Sequence, residues 1–431
     1  VYLFAIPNLA PTPRESVDYW LAGLRGNPEG PFAVSKREVE FDTAESTVGT
    51  GPYLLKTYKL KNKFVLIRNP DYRFDPYPSK ADPQFVKMGF LKDAGKAMPF
   101  IDKMVSVYTQ QDLPAWMLFL KGQRDASGIP REAFKSIVTI NKELTDEWAQ
   151  KGIVLKKVWD PGNFCLYFNM NDKIMGASKS LRRAMCLAYN AEDYVKILMN
   201  DRGRRAQTAV PGEFKSARNV LSRVEQMKKD GKFFNYFDLK KAKELLVLAK
   251  EELRAKGLLV DGEIPEIEIN IDQGDNDATE YIKAQFDNLG LKIKMVTIDF
   301  PTRQSKSQRG NYQVISGGWH ADYYDAENFL QLYYGPNTKN GMNSSRYINA
   351  EFDKLYESIR EMPDCPERTQ KYERMIEILC EDCPAIMTIE RQSLVLHYDH
   401  YGNYHLMPLG TGYVKYRRID PVLQAKRQGK K

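Results

Sequence analysis

The sequence is poor in the residues that enzymes most often rely on. It has only four histidines and five cysteines in 431 residues. A Ser-His-Asp or Cys-His site therefore has little to draw on, and a disulfide scaffold is excluded. Glycine (28) and proline (23) together make about 12% of the chain, the usual share, which rules out a fibrous or low-complexity protein. Long apolar runs are missing as well. The longest, such as residues 116–120 (WMLFL), fall far short of the ~18 needed to span a bilayer. No repeat of about 20–50 residues is visible, so a solenoid is not indicated. What remains is ordinary globular material, 42% hydrophobic and 28% charged, enough for a large core and far from disorder. At ~150 residues per domain the length suggests about three domain-sized units.

The net charge is +8, from 64 Lys and Arg against 56 Asp and Glu. Lys and Glu alternate along most helical stretches, and only residues 425–431 (AKRQGKK) form a basic run. A basic excess without a patch argues against nucleic acid as a partner. Among the cysteines, Cys380 and Cys383 have C-x-x-C spacing, but no second pair follows to complete a zinc site. A bridge involving Cys365, Cys380 or Cys383 and a set of buried free thiols stand as equal readings.

The most legible stretch runs from about residue 238 to 319. Asp238 is placed to cap a helix whose residues Leu239, Ala242, Leu245, Leu246, Ala249 and Leu253 recur at helical spacing, with Gly257 ending it. Residues 264–271 alternate, with Ile267, Ile269 and Ile271 on one face and Glu266, Glu268 and Asn270 on the other. A second helix carries Ile282, Phe286 and Leu289 and closes at Gly290; strands follow at 291–299 and 312–316, with a short helical piece between them. Strand, helix, strand, helix, strand means α/β with crossover connections. Ser178 or Ser180 caps a helix through Ala188. A long amphipathic helix over 367–381 buries Tyr372, Met375, Ile376 and Leu379 and stops before Pro384. Residues 64–68 and 154–158 read as strands.

Catalytic motifs fail one by one. Gly89-x5-Gly95-Lys96-Ala97 has one residue too many for a phosphate loop and lacks its hydroxyl. Gly176-Ala-Ser178-Lys-Ser180 misses the second glycine of a nucleophile elbow. Three of the four histidines are bunched as His397-Tyr-Asp-His400-Tyr-Gly-Asn-Tyr-His405. With Asp399 they fit either a transition-metal site or a Tyr/His-rich turn between strands. Aromatics are plentiful, with 25 Tyr, 20 Phe and 5 Trp, and such side chains suit adaptable ligand contacts. Gly317-Gly-Trp-His-Ala-Asp-Tyr-Tyr324 is the sharpest local signal. It follows an expected strand, where an α/β sheet presents its ligand crevice. Two glycines allow close backbone approach, Trp319 offers a wall, and Asp322 offers a carboxylate for an ammonium. A buried Trp319 and a turn Asp322 are the alternative.

Several ordered segments carry a family resemblance. They are Val48-Gly-Thr-Gly-Pro-Tyr53, Leu66-Ile-Arg-Asn-Pro-Asp-Tyr72, Leu166-Tyr-Phe-Asn169, Ser180-Leu-Arg-Arg-Ala-Met-Cys-Leu-Ala-Tyr-Asn190 and Tyr236-Phe-Asp-Leu-Lys-Lys-Ala-Lys-Glu-Leu-Leu246. Gly317 to Leu330, Glu351-Phe-Asp-Lys-Leu355 and Cys380-Glu-Asp-Cys-Pro-Ala-Ile386 complete the set. Together they resemble the oligopeptide/dipeptide-type extracellular solute-binding proteins of ABC transporters, solute-binding family 5. The resemblance implies an α/β, two-lobed periplasmic-binding-protein-like fold (type II, cluster C) whose lobes close around a hinge.

On that template residues 1–24 end an inserted subdomain, 25–165 form the central part of lobe I, 166–390 form lobe III, and 391–431 return to lobe I. The crossings near residues 163–169 and 385–391 form the hinge. The chain opens at Val1 without a signal-peptide pattern, and the template implies that the first strands of lobe I precede it. Residue by residue, the resemblance gives Asp322 the α-ammonium of a bound peptide and Trp319 an aromatic pocket wall. Gly318 and His320 flank the ligand backbone, with Tyr323, Phe300 and Asn169 as further ligand-binding positions. Ser316 falls where some relatives carry an arginine for the peptide carboxylate, so that anchor is not supported, and exposed helix charge accounts for Arg303 and Arg309.

The implied protein is a monomeric, non-enzymatic carrier without cofactor or metal. It captures oligopeptides in the periplasm or outside the cell and hands them to an inner-membrane ABC permease; a lipid anchor is left open. The same fold binding a nickel-type metal chelate through His397, His400 and His405, or an oligosaccharide, is the alternative. A hydrolase using Asp322 and Asp325 is a third.

Overall fold

The computed structural model describes residues 49–109, 111–274, 276–409 and 413–427. Residues 1–24, expected to close an inserted subdomain, and most of the basic tail lie outside that range. The chain divides into two compact units, and each is described by itself. One comprises residues up to Lys157 and from Leu394 onward, the other Val158–Ser393.

The first unit begins with an antiparallel sheet of β1 (Tyr53–Lys59), β2 (Lys63–Arg68) and β3 (Lys103–Val107). Its register sets Val65 opposite Val105 and Phe64 opposite Ser106. Helix α1 (Asp112–Leu120) follows, then β4 (Ala126–Gly128) and β5 (Ile153–Trp159). Trp116 on α1 stacks on Phe119 and on Trp148, each at 5.5 Å. Around them Ile129, Phe134, Ile137 and Ile153 make a core.

The second unit is built in chain order from β6 (Gly162–Phe168), α2 (Lys179–Ala188), β7 (Gly203–Arg205), α3 (Leu239–Arg254) and β8 (Ile267–Asp272). There follow α4 (Asn276–Leu289), β9 (Ile293–Ile298), α5 (Phe300–Arg309), β10 (Val314–His320), α6 (Pro366–Asp382) and β11 (Ala385–Met387). Helix starts obey local chemistry. The Ser178 and Asp238 side chains accept from the Leu181 and Lys241 amides, each at 3.0 Å, and Asp299 does the same for Thr302. Gly257 and Gly290 end their helices at positive φ, 65° and 99°, where a side chain would add strain. Tyr372, Met375, Ile376 and Leu379 are all buried, as the periodicity of α6 requires.

One five-stranded sheet, ordered β11-β6-β10-β8-β9, organises this unit. β8 pairs in parallel with both β9 and β10, while β6 runs antiparallel to β10 and β11. Helices α2, α3 and α4 supply Leu181, Met185, Leu246, Leu253, Ile282 and Phe286 to the core that meets Ile267, Ile269, Ile271 and Val314. Ala184, Ala242 and Ala249 are fully buried, and their small volume lets α2 and α3 pack closely. Truncating Phe286, which has no exposure, would cost about 3–5 kcal/mol.

Two sequence expectations change here. Asn270, placed on a polar face by alternation, has no exposure. α5 covers that face, and Lys306 reaches Asn270 at 2.7 Å and Glu268 at 3.4 Å, so the strand is covered on both sides as strands joined by crossovers are. The expected strand 312–316 extends through Gly317, Gly318 and Trp319 to His320, all paired to β6. After β11 the chain continues as β12 (Ile389–Tyr398), whose first residues pair with β7 and whose residues 395–397 pair with β4. Leu394 and Leu396 join the core of the first unit. A short pair, β13 (Tyr401–Gly402) and β14 (Arg418–Ile419), follows in that unit, before a last helix at Pro421–Arg427.

Candidate functional site

Because β8, β9 and β10 are parallel, their carboxyl ends share one edge of the sheet, where α/β proteins usually hold ligands. β10 reaches that edge with two glycines for a steric reason. A Cβ on Gly317 would stand 2.6 Å from the Tyr167 ring, and one on Gly318 would stand 2.7 Å from the Asn163 carbonyl oxygen. Both separations are below any real contact. The space the glycines leave is thus taken by β6 itself, rather than left open for a ligand backbone. Gly162, opposite His320, is under the same constraint from the Trp319 carbonyl at 2.5 Å.

Beyond His320 the chain turns, and one buried side chain holds the turn. Asn328 is 1% exposed. Its Oδ1 accepts from the Trp319 indole Nε1 and from the Asp322 amide, both at 2.9 Å, and its Nδ2 donates to Asp322 Oδ2 at 3.3 Å. Trp319 is therefore fixed in a half-buried position and Asp322 presents an exposed carboxylate. No Lys, Arg or His forms an ion pair with Asp322 among the described residues. An anchored carboxylate open to solvent is equipped to receive a cationic group.

The neighbouring acids are spent differently. Asp325 is paired with Arg368 at 2.8 Å and accepts from the Tyr372 hydroxyl at 2.6 Å. Burial, then this carboxylate, pushes the Tyr372 phenol upward. Glu327 accepts from the Tyr323 hydroxyl at 2.6 Å and from that of Tyr356; burial, then the carboxylate acceptor, raises both phenols. Tyr324 stacks on Phe214 at 4.9 Å. Asp325 is therefore structural, and the Asp322/Asp325 hydrolase pair loses one member to an internal ion pair.

His320 is exposed and meets the ring of Phe164 edge-on at 6.3 Å, while the Arg391 guanidinium lies 5.3 Å from the same ring. Trp319, Gly318, His320, Asp322 and Tyr323 are thus brought together. Phe300 is not among them: it lies beyond β9, two strands from β10, 59% exposed with Arg303 at 4.9 Å over its ring. Arg303 itself pairs with Asp272 at 2.8 Å. Asn169 stands past Phe168, at the opposite end of β6 from the Gly162–His320 pair. Its amide donates to the carbonyls of Gly310 and Tyr312 at 2.9 and 2.8 Å, a joint between β6 and the approach to β10. Sequence reasoning missed Asn328, Phe164 and Arg391. Asn328 sits inside a segment that carries the family resemblance, but nothing in a lone sequence distinguishes a buried bracket from an exposed amide.

The histidine bunch is dispersed. His397 is buried, hydrogen-bonded through Nδ1 to the Tyr398 carbonyl at 2.9 Å and packed on Tyr404 at 4.5 Å. Burial depresses its pKa to about 4. His400 is buried against Asp125 at 2.9 Å, and His405 packs on Phe85 and Phe90. Asp399 pairs with Arg427 at 2.6 Å. His397 lies in β12, His400 in the turn after it and His405 beyond β13, so residues close in sequence send their rings to different partners. Among the described residues no group of three His, Cys, Asp or Glu is arranged to hold a metal.

Residues 3–341 match the family model for bacterial extracellular solute-binding proteins, family 5. The chain belongs to that family. Among curated proteins it is similar to di/tripeptide-binding protein 3 of Pseudomonas aeruginosa, 24% identical over 344 residues, covering 79% of this chain and 55% of that protein. It is also similar to the probable D,D-dipeptide-binding periplasmic protein of Escherichia coli, 22% identical, covering 81% and 58%. The chain spans somewhat over half the length of these relatives. Among solved structures, the periplasmic binding protein DppA of Helicobacter pylori with peptide STSA superposes with a TM-score of 0.70 at 19% identity, covering 97% of this chain and 69% of that one. A Staphylococcus aureus NikA complex with Ni(L-His)2 gives 0.61 at 16%, covering 90% and 72%. The fold is the α/β fold of these binding proteins. No helix among the described residues is long and apolar enough to cross a membrane.

Proposed function

We propose that this protein is an extracytoplasmic carrier that captures oligopeptides through their free α-ammonium group and passes them to an ABC permease. The observation that carries the reading is the Asp322 carboxylate, exposed at the strand edge, held by Asn328 and without a cationic partner among the described residues. The half-buried Trp319 indole beside it supports an apolar wall, and the peptide-binding relatives support the ligand class. Capture by closure of the two units, with the chain crossings at residues 157–158 and 393–394 as hinge, completes the proposal, as does location in the periplasm or outside the cell.

The test is a pair of ligands on one variant. Asp322→Ala should weaken binding of a peptide with a free N-terminus by about 2–5 kcal/mol and leave its N-acetylated form nearly unaffected. Equal losses on both peptides would remove Asp322 from this role. A second reading, a metal chelate, is favoured by the nickel–histidine complexes of two structural neighbours and by the exposed His320 beside Asp322. Native mass spectrometry separates the two: a ladder of peptide masses supports the first, and one sharp nickel-containing mass the second.

A further inference from the structure

Cys186 lies in α2, Cys383 one residue past the end of α6, and the two are 197 positions apart in the chain. The fold brings them together. Both are buried free thiols in this structure, as are Cys165 and Cys380. Cys186 and Cys383 both line one small void shared with Cys380, Thr208, Asn235 and Leu379. The Cys186 sulfur is 3.7 Å from the carbonyl of Ala385, two residues beyond Cys383. Cys383 also occupies an unusual backbone position. It ends α6 with φ 49° and ψ 62°, the left-handed conformation for which glycine or asparagine is the usual residue. A cysteine kept in that conformation points to a use for its sulfur.

We propose that Cys186 and Cys383 form a disulfide that fastens α2 to the corner between α6 and β11. The other cysteines are poorer partners. Cys365 precedes the 17-residue α6, which puts it about 25 Å along the helix axis from Cys383, out of bonding range. Cys383 directs its sulfur at the Cys380 carbonyl, at 3.3 Å, not at the Cys380 sulfur. Cys165 lies on β6 beside Tyr167.

The chemistry is thiol–disulfide exchange. A disulfide oxidant accepts two electrons and two protons from the pair and leaves as two thiols, while one S–S bond forms in the protein. Burial raises the Cys186 thiol well above its ordinary range, so little thiolate is present in the folded protein. The bond therefore forms while the chain folds, before α2 and the α6 corner close over the sulfurs. The proposal rests on the extracellular setting of the family and is independent of the ligand.

The experiment is refolding of the denatured, reduced chain in a glutathione redox couple. Remaining thiols are then alkylated with N-ethylmaleimide under denaturing conditions and the adducts counted by intact mass. With five cysteines in the chain, the bridge predicts three adducts without reduction and five after it. Cys365→Ala and Cys380→Ala should each give two adducts, whereas Cys186→Ala and Cys383→Ala should each give four. Peptide mapping should recover one linked pair containing Cys186 and Cys383. Five adducts from the oxidatively refolded wild type, or a linked pair joining any other two cysteines, overturns the proposal. Because the refolding is done in vitro, the outcome does not depend on where the cell places the protein or on whether it binds peptides.

Discussion

Replacing Asn328 tests whether one buried amide positions the whole site. Asn328→Ala removes the acceptor of the Trp319 indole and of the Asp322 amide, each at 2.9 Å. Leaving a buried donor unpaired costs about 1–3 kcal/mol, so the two together lower stability by about 2–6 kcal/mol. Asn328→Asp is more discriminating. It retains an acceptor for both donors but sets a second carboxylate where an amide now meets Asp322 Oδ2 at 3.3 Å. With an effective dielectric of ~20 that repulsion has a ceiling of about 5 kcal/mol. Exposure of Asp322 screens it to about 1–2 kcal/mol. The sign with pH follows from linkage. The facing pair raises one carboxyl above its unfolded pKa, so the folded variant binds a proton more readily than the unfolded chain, and the penalty is relieved as pH falls. Urea midpoints at about pH 8 and about pH 5 should therefore converge on wild type for Asn328→Asp and stay apart for Asn328→Ala. The reasoning is refuted if Asn328→Asp matches wild type at both values, or if Asn328→Ala loses no stability.

Asp325→Ala should destabilise the protein by about 3–5 kcal/mol, read as a lower denaturation midpoint, because it strands Arg368 in a largely buried position; an unchanged midpoint would return Asp325 to the list of free acids. Gly317→Ala drives a methyl into the Tyr167 ring and should cost about 1–3 kcal/mol. Tyr167→Leu in the same chain should recover part of that loss, and no recovery would mean the strain lies elsewhere. His397 is held neutral, its pKa depressed to about 4 by burial. Since the unfolded chain binds the proton more readily, about 3 kcal/mol of stability is lost as pH falls from about 6.5 to about 4. His397→Phe should flatten that part of the pH–stability profile, and an unaltered slope would assign the acid sensitivity to other groups.

The helices of the second unit were legible because their signals are local. Asp238 and Ser178 act as caps on residues three positions away, and apolar spacing selects the buried face of α3, α4 and α6 without reference to the rest of the chain. Glycines at helix ends are equally local. Strand limits were less legible. Gly317 and Gly318 read as a loop because glycine weakens a strand, whereas here their missing side chains are what allows β10 to lie against Tyr167 and Asn163. Asn270 read as solvent-facing because alternation reports two faces but not what covers them.

The sequence by itself determined the α/β class, the segments of the family resemblance and the chemical character of the Gly317–Tyr324 stretch, since each depends on residue types at short separations. Only the tertiary structure decided which of those residues act together. It set Asn328 beneath Trp319 and Asp322 and gave Asp325 to Arg368. It sent His397, His400 and His405 to separate partners, placed Asn169 at the far end of the sheet, and set Cys186 and Cys383 on one small void. The physical reason is the same each time. Burial, ion pairing and close packing are settled by contacts between residues far apart along the chain, and no local pattern records which distant side chain will arrive.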